Sequence, residues 1–128
     1  MRILLDTCTF LWIASGSPRL SKTASTAFLD QANRRFLSAS SAWEIGIKHA
    51  SGRLPLSERP DVFVPRVREA SGIESLLIDE ESALHAGRLP ALHADPFDRM
   101  LVAQAIVHGL TILTPDKAIE QYGVRVLW

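Results

Sequence analysis

Short, nearly all-apolar segments alternate with longer helical ones along the chain, and this alternation constrains the fold more than any other feature of the sequence. The segments that are typical of strands are 2–6, 35–39, 74–78, 110–113 and 124–127. Strands that are apolar on both faces belong in parallel sheets covered by helices on both sides. The sequence therefore predicts an α/β fold in which ligands bind beyond the carboxyl ends of the strands.

Capping and breaking residues set the expected helix boundaries. Ser21 and Asp95 stand where N-caps are expected, and Pro96 suits the first position of a helix. Gly52 and Gly109 stand where helices are expected to end. The predicted helices are 7–15, 21–33, 41–51, 62–70, 79–87, 96–109 and 115–122.

Length, charge and cysteine content narrow the class of protein. The 128 residues suit one domain, 1–128, with a core of its own. Fourteen basic and fourteen acidic side chains give a formal net charge of zero, which excludes a strongly basic nucleic-acid-binding coat. The single cysteine, Cys8, forms no internal disulfide, and no apolar run is long enough to cross a membrane. We therefore expect a soluble, cytoplasmic protein without a membrane partner.

Four carboxylates stand where the chain leaves the strands of the expected sheet. Asp6 ends the first strand, Glu44 begins the helix after the second, Asp98 begins the long apolar helix, and Asp116 follows the fourth strand. Like charges held together at one edge need a cation to neutralise them, and oxygen ligands favour Mg²⁺ or Mn²⁺. Such carboxylate sites serve phosphodiester hydrolysis by a metal-activated water.

Each of these acids also fits a structural role. Asp6 could simply be a polar residue that ends the first strand. Asp98 takes the third position of a helix that Asp95 caps, and the helix dipole would stabilise Asp116 at the start of a short helix. Glu44 completes a capping box with Ser41, so its role is the most ambiguous. The evidence for a metal site lies in the four acids taken together.

Other polar residues near the same edge are weaker candidates. Thr7, Ser40 and Thr114 carry hydroxyls that could position a water, and helix capping is the alternative for each. Arg99 could position a phosphate, and pairing with Asp95 is the equal alternative.

The remaining chemically versatile residues are assigned structural roles. Lys48 follows Glu44 by four residues, so we expect an ion pair within the helix. Cys8 is expected to be a small packed residue. We assign the histidines to surface or packing positions and the tryptophans to core or interface positions; these are His49, His85, His93 and His108, and Trp12, Trp43 and Trp128. The spacing of the glycines excludes a phosphate-binding loop and a dinucleotide fingerprint.

Four ordered motifs give the chain a family resemblance. They are Ile3-Leu-Leu-Asp6-Thr7, Ser41-Ala-Trp-Glu44-Ile45 with Lys48, Asp95-Pro-Phe-Asp98-Arg99, and Thr114-Pro-Asp116. Together they resemble the motifs of PIN-domain ribonucleases, and most of all those of VapC toxins of type II toxin–antitoxin modules. The resemblance runs from Arg2 to Trp128. It implies that Asp6, Glu44, Asp98 and Asp116 are the metal-binding catalytic acids, with Thr114 as an accompanying hydroxyl.

The resemblance also implies an architecture and an activity. The fold would be an α/β/α sandwich with a central, mainly parallel sheet of four to five strands. The protein would dimerise, cut single-stranded regions of RNA with Mg²⁺ or Mn²⁺, and be silenced by a VapB-type antitoxin. Asp6 and Asp98 would hold the principal ion, Glu44 would hold the ion or orient its water, and Asp116 would complete the site. Cleavage would leave a 5′-phosphate and a 3′-hydroxyl.

Three other functions remain open at this point. One is a PIN nuclease of RNA processing or DNA repair that is not a toxin, and another is an inert binding module that keeps the acids for structure. A phosphatase or phosphotransfer domain with an aspartyl nucleophile is the third, although Asp6-Thr-Cys8 lacks the second aspartate two positions on.

Overall fold

The computed structural model describes residues 1–128 as five strands and seven helices. In chain order they are β1 (Arg2–Leu5), α1 (Thr7–Ser15), α2 (Lys22–Leu29), β2 (Arg34–Ser38), α3 (Ala39–Ala50), α4 (Pro60–Ala70), β3 (Glu74–Leu76), α5 (Glu80–Arg88), α6 (Pro96–His108), β4 (Thr111–Leu113), α7 (Lys117–Glu120) and β5 (Val126–Leu127). No helix is both long and apolar enough to cross a membrane.

All five strands run parallel in a single sheet, in the order β3-β2-β1-β4-β5. Strand β1 lies at the centre, with Leu5 opposite Leu37 of β2 on one side and Leu113 of β4 on the other. Because the strands are parallel, their carboxyl ends meet at the same edge of the sheet. The prediction of a parallel sheet is confirmed.

Helices cover both faces of the sheet, as the apolar strands require. Ile3 and Leu5 point to one face and pack in a core with Phe10 of α1. Leu4 points to the opposite face and packs in a second core with Leu101 of α6. All of these side chains are fully buried, and burial of each aliphatic side chain stabilises the fold by about 1.5–3 kcal/mol. The expected α/β/α sandwich is confirmed.

Helix α2 is shorter than predicted. The Ser21 hydroxyl accepts a hydrogen bond from the backbone N–H of Ala24, which confirms this N-cap. The predicted continuation to residue 33 is wrong, because the helix ends at Leu29. The Asp30 carboxylate accepts from the Ala32 N–H at 2.9 Å, and this local bond turns the chain out of the helix.

Helix α3 begins two residues earlier than predicted. Its N-cap is Ser38, whose hydroxyl accepts from the Ser40 N–H at 3.0 Å. Ser41 therefore lies inside the first turn and is completely buried. The capping box of Ser41 and Glu44 does not exist, so capping is no longer an explanation for Glu44.

The helix that carries Asp98 agrees with the prediction. Asp95 is the N-cap of α6, and Pro96 is its first residue. Gly109 ends it at φ 66°, a left-handed conformation in which a glycine lacks the strain of a Cβ. Proline at the start is tolerated because that position has no helical partner for an N–H.

Candidate metal centre

The four predicted acids come together in one pocket at the carboxyl edge of the sheet. Each is delivered by a different part of the fold: the end of β1, the helix after β2, the start of α6 and the turn after β4. The pocket has a volume of about 180 Å³. Its carboxylates are Asp6, Glu44, Asp95, Asp98 and Asp116.

Asp6 is buried at the centre of this edge and is 6% exposed. Its Oδ1 accepts from the Thr9 N–H at 2.8 Å, which caps α1, and its Oδ2 accepts from the Thr114 hydroxyl at 2.6 Å. Burial raises the pKa of Asp6, although these hydrogen bonds favour the charged form and oppose the rise. The structure therefore fixes a carboxylate whose negative charge the protein only partly compensates.

Glu44 is 5% exposed and is held from two sides. Its Oε1 accepts from the Thr7 hydroxyl at 2.6 Å, and its Oε2 pairs with the Lys48 ammonium. The predicted ion pair with Lys48 is confirmed. Thr7, whose hydroxyl was expected to position a water or cap a helix, contacts Glu44 directly, and its Oγ1 is also 3.0 Å from the Ser41 hydroxyl.

Asp95 and Asp98 divide two roles at the start of α6. The Oδ1 of Asp95 accepts from the N–H groups of Phe97 and Asp98 at 2.8 and 3.3 Å, so Asp95 is the cap. The Asp98 side chain turns instead to the pocket. Burial raises the pKa of Asp98 to about 6, and the negative charges of Asp95 and Glu44 contribute to the rise.

Asp116 completes the edge from β4. Its Oδ1 accepts from the Ala118 N–H at 2.9 Å, and its own N–H donates to Thr114 Oγ1 at 3.0 Å. Thr114 thus connects Asp116 with Asp6 through one hydroxyl. The Oδ2 of Asp116 makes no such backbone contact and faces the same pocket.

The sequence analysis missed one member of the cluster, His93. This histidine lies in the loop between α5 and α6, and its Nε2 is 2.9 Å from Asp98 Oδ2 and 3.8 Å from Asp116 Oδ2. Ligand atoms of the three side chains all lie within 4.8 Å of one another. Expected at a surface or packing position, His93 is 24% exposed and contacts two of the predicted acids. Its place five residues before Asp98, in the loop that enters α6, was the only signal in the sequence.

Two weaker candidates lie elsewhere. The Arg99 guanidinium donates to the carbonyl oxygens of Pro90, Ala86 and Leu89 at 2.9, 2.9 and 3.0 Å. It therefore ties the end of α5 to the following loop and forms no ion pair with Asp95. Ser40 is buried in the first turn of α3 and does not line the pocket.

The expectation for Cys8 needs correction, and the structure decides between the two positions expected for Trp43. Cys8 is exposed and lines the pocket instead of packing in the core. Loss of hydration raises the pKa of its thiol, and the charges of Asp6 and Glu44 raise it further, so the thiol stays protonated at neutral pH. Trp43 is 64% exposed and stands edge-on to Phe97, with ring centroids 5.3 Å apart. Of the two expected positions, core or interface, this exposure excludes the core and leaves the interface.

The donor set fits a hard divalent cation. Five carboxylates face one another, whereas Lys48 is the only lysine or arginine in the pocket and is already paired with Glu44. Carboxylate oxygens are the preferred ligands of Mg²⁺ and Mn²⁺. The raised pKa values of Asp6 and Asp98 point the same way, because they mark positions where negative charge is under-compensated.

Comparison with known proteins adds a family and several solved structures. The model of the family described as "PIN domain" matches residues 3–124. VapBC2 from Rickettsia felis, bound to a promoter DNA fragment, superposes with a TM-score of 0.73 at 14% identity, over 98% of this chain and 97% of that one. DNA-bound VapBC from Salmonella typhimurium superposes with a TM-score of 0.71 at 21% identity, over 98% of this chain and 96% of that one.

VapBC-1 from nontypeable Haemophilus influenzae gives a TM-score of 0.69 at 17% identity, again over 98% of this chain and 96% of that one. At these identities the likeness establishes the fold. No protein of curated function matches the sequence.

Proposed function

The chain belongs to the PIN domain family, and from this membership we propose that it is a metal-dependent endoribonuclease, the toxin of a VapBC-type toxin–antitoxin module. The family consists of nucleases that generally use divalent metals. The observation that carries the proposal is the convergence of Asp6, Glu44, Asp98 and Asp116 in one pocket at the carboxyl edge of the sheet. An inert binding module has no need for this costly arrangement of charge.

The same four acids would hold Mg²⁺ or Mn²⁺. When bound, a divalent cation supplies activation of water and neutralisation of charge at the phosphate. The protein contributes orientation. Thr9 and Thr114 fix the two oxygens of Asp6, and Thr7 fixes one oxygen of Glu44. Such contacts hold ligands in place before substrate arrives and reduce the reorganisation needed for reaction.

Lys48 supplies a positively charged side chain in the pocket that can contact a phosphate of RNA. Its side chain is 40% exposed at the mouth of the pocket, while its ammonium pairs with Glu44. If Glu44 held a cation, the Lys48 ammonium, which is 40% exposed, would be free to contact a phosphate oxygen. This arrangement places one positive charge where a polyanionic substrate enters a mostly acidic site.

The likeness to VapBC complexes supports a VapB-type antitoxin as the partner. A groove of about 510 Å³ lies beside α1 and α4, with Leu11, Trp12, Leu56 and Phe63 among its lining residues. Its apolar lining suits a helix or an extended tail of a second protein. Exposed apolar side chains on α3, α5 and α6 support the homodimer; they are Trp43, Ile47, Leu84 and Ile106.

Expression in a bacterium without the antitoxin tests the proposal. The wild-type chain should stop growth, Asp98→Asn should be tolerated at equal protein level, and Asp61→Asn, which alters an exposed acid of α4, should behave as wild type. Mapping of new 5′ ends in total RNA should show cuts that need Asp98. Equal growth of all three strains with cleavage in vitro would leave a PIN nuclease that is not a toxin. Absence of cleavage with both Mg²⁺ and Mn²⁺ would refute the nuclease.

A further inference from the structure

We propose that His93 is a nitrogen ligand of the cation that Asp98 and Asp116 would hold, and that it makes the site prefer a first-row transition metal such as Mn²⁺ to Mg²⁺. The inference rests on the proposed function, since it presupposes that the carboxylates bind a cation. It goes beyond that function because a histidine is absent from the set of four acids, and because it predicts which metal the chain selects.

The geometry of three side chains carries the inference. The distances from His93 Nε2 to Asp98 Oδ2 and Asp116 Oδ2 are 2.9 and 3.8 Å. Neighbouring ligands around an octahedral ion with bonds of about 2.1 Å stand about 3.0 Å apart, and opposite ligands about 4.2 Å. The observed separations fall within or close to this interval. One ion can therefore contact the three atoms after only small adjustments of their side chains.

The backbone holds His93 at this position. The Tyr122 hydroxyl donates to the His93 carbonyl oxygen at 3.5 Å, and Arg99 binds the carbonyls of Leu89 and Pro90 in the same loop. The His93 side chain is only 24% exposed. Because the backbone of His93 is anchored in this way, less conformational freedom remains to be lost when the imidazole binds an ion.

His93 is also the only basic side chain in contact with these two acids. The Lys48 ammonium pairs with Glu44, and no lysine or arginine forms an ion pair with Asp98 or Asp116. Two interpretations follow from this contact. His93 either shares an ion with the two carboxylates, or it substitutes for the ion and withdraws when one binds. The 2.9 Å contact with Asp98 has the length of a hydrogen bond, whereas the 3.8 Å separation from Asp116 is too long for one and leaves room for an ion between the two side chains.

A nitrogen ligand changes the choice of metal. Mg²⁺ binds oxygen ligands and retains much of its water, whereas imidazole suits first-row transition metals. Replacing one oxygen or water ligand by His93 Nε2 should therefore raise the affinity for Mn²⁺ more than that for Mg²⁺. A site of four acids without His93 lacks this additional preference for Mn²⁺.

Mn²⁺ itself is the probe that tests this. The metal-free protein is titrated calorimetrically with MnCl₂ and with MgCl₂, and the Mn²⁺ complex is examined by electron spin-echo spectroscopy for coupling to a ¹⁴N nucleus. The variants are His93→Gln and, as a matched control, His85→Gln on α5, whose ring contacts Arg88 instead. Wild type and His85→Gln should show the ¹⁴N coupling, and His93→Gln should lose it.

Loss of the ligand should weaken Mn²⁺ binding by about tenfold or more, and Mg²⁺ binding by less than about threefold. Mn²⁺ binding without ¹⁴N coupling in the wild type, or an unchanged ratio of affinities in His93→Gln, refutes the inference and leaves the proposed function intact. Tighter binding of both metals by His93→Gln would show that His93 substitutes for the ion, which also refutes it. Failure of the wild type to bind either metal would overturn the proposed function as well. The wild-type spectrum decides the question even if His93→Gln fails to fold.

Discussion

Replacing Asp98 by asparagine should stabilise the metal-free protein at neutral pH. Burial holds the pKa of this carboxyl at about 6, above its ordinary value of 3.8, so the folded protein resists the charged form. Asparagine keeps the shape and an acceptor oxygen that can face His93, and it carries no charge. The substitution therefore removes a cost of folding that only a bound cation would otherwise offset.

The magnitude follows from the two pKa values. Below pH 3.8 the carboxyl is protonated in both the folded and the unfolded protein and contributes nothing. As the pH rises from 3.8 to about 6, the folded state binds more protons than the unfolded state, and stability falls. The full cost, reached above pH 6, is about 3 kcal/mol. Because the Asp98 side chain is 18% exposed, solvent screening reduces this cost, and the net stabilisation by asparagine is about 2 kcal/mol.

Thermal and urea unfolding in EDTA measure this effect. At pH 7.5 Asp98→Asn should melt about 6 °C above the wild type, and the gain should nearly vanish by pH 4. Asp61→Asn is the control, since its carboxylate is exposed and pairs only with Arg59. Saturating Mn²⁺ should raise the melting temperature of the wild type and leave that of Asp98→Asn unchanged. Destabilisation of Asp98→Asn at pH 7.5, or a gain independent of pH, would refute the reasoning.

Three further substitutions separate roles within and around the pocket. Glu44→Gln loses the ion pair with Lys48 and should change the free energy of unfolding by less than about 1 kcal/mol. RNA cleavage should nevertheless fall at least about tenfold. Near-wild-type turnover at limiting metal would exclude Glu44 from the site. Thr114→Val removes the hydroxyl that binds Asp6 and should cost about 1–3 kcal/mol in urea unfolding; it should also weaken Mn²⁺ binding in calorimetry, because the pKa of Asp6 rises further. Arg99→Lys should lower the free energy of unfolding by about 1–3 kcal/mol, because it loses hydrogen bonds to backbone carbonyls. Cleavage per folded molecule should stay within about twofold of wild type. A selective loss of cleavage would instead show that Arg99 contacts the substrate.

The strands and most helices could be predicted because their signals are local. The β1 segment is apolar on both faces, which is typical of a strand in a parallel sheet that helices cover on both sides. Asp95, Pro96 and Gly109 mark the ends of α6 by capping chemistry that depends on a few adjacent residues. These signals need no knowledge of the tertiary structure.

The errors arose where two residues could perform the same local task. Ser38 and Ser41 are both good N-caps, and the sequence does not show which one the end of β2 places at the helix start. Pairing of Ser38 with Leu76 in the sheet extends β2 to Ser38, so the helix starts directly after it. The misplaced start produced the false capping box at Glu44. A tertiary contact thus decided a local question.

The acids of the site were predictable for a topological reason, and His93 was not. Residues that follow parallel strands share one edge, so the positions of Asp6 and Asp116 in the sequence already bring them together. His93 reaches the same place on a loop whose path depends on contacts made by Arg99 and Tyr122. Nothing in the spacing of residues specifies that path. Strand order alone therefore does not predict which loop residues complete a site.

The structural and the functional interpretations of the acids are compatible, because a carboxylate has two oxygens. A helix cap uses one of them: Oδ1 of Asp116 binds the Ala118 N–H, while its Oδ2 faces His93. In Asp6 the cap also occupies Oδ1, and Oδ2, which accepts from Thr114, keeps a second lone pair for a cation. The N-termini of α1 and α7 place positive partial charge beside these carboxylates and so reduce the cost of holding them in the absence of metal. Asp98 caps nothing, and its pKa is the one that burial and neighbouring carboxylates raise to about 6. The fold therefore stabilises the anions that also cap its helices, whereas the charge of Asp98 has no such helix-capping contact to support it.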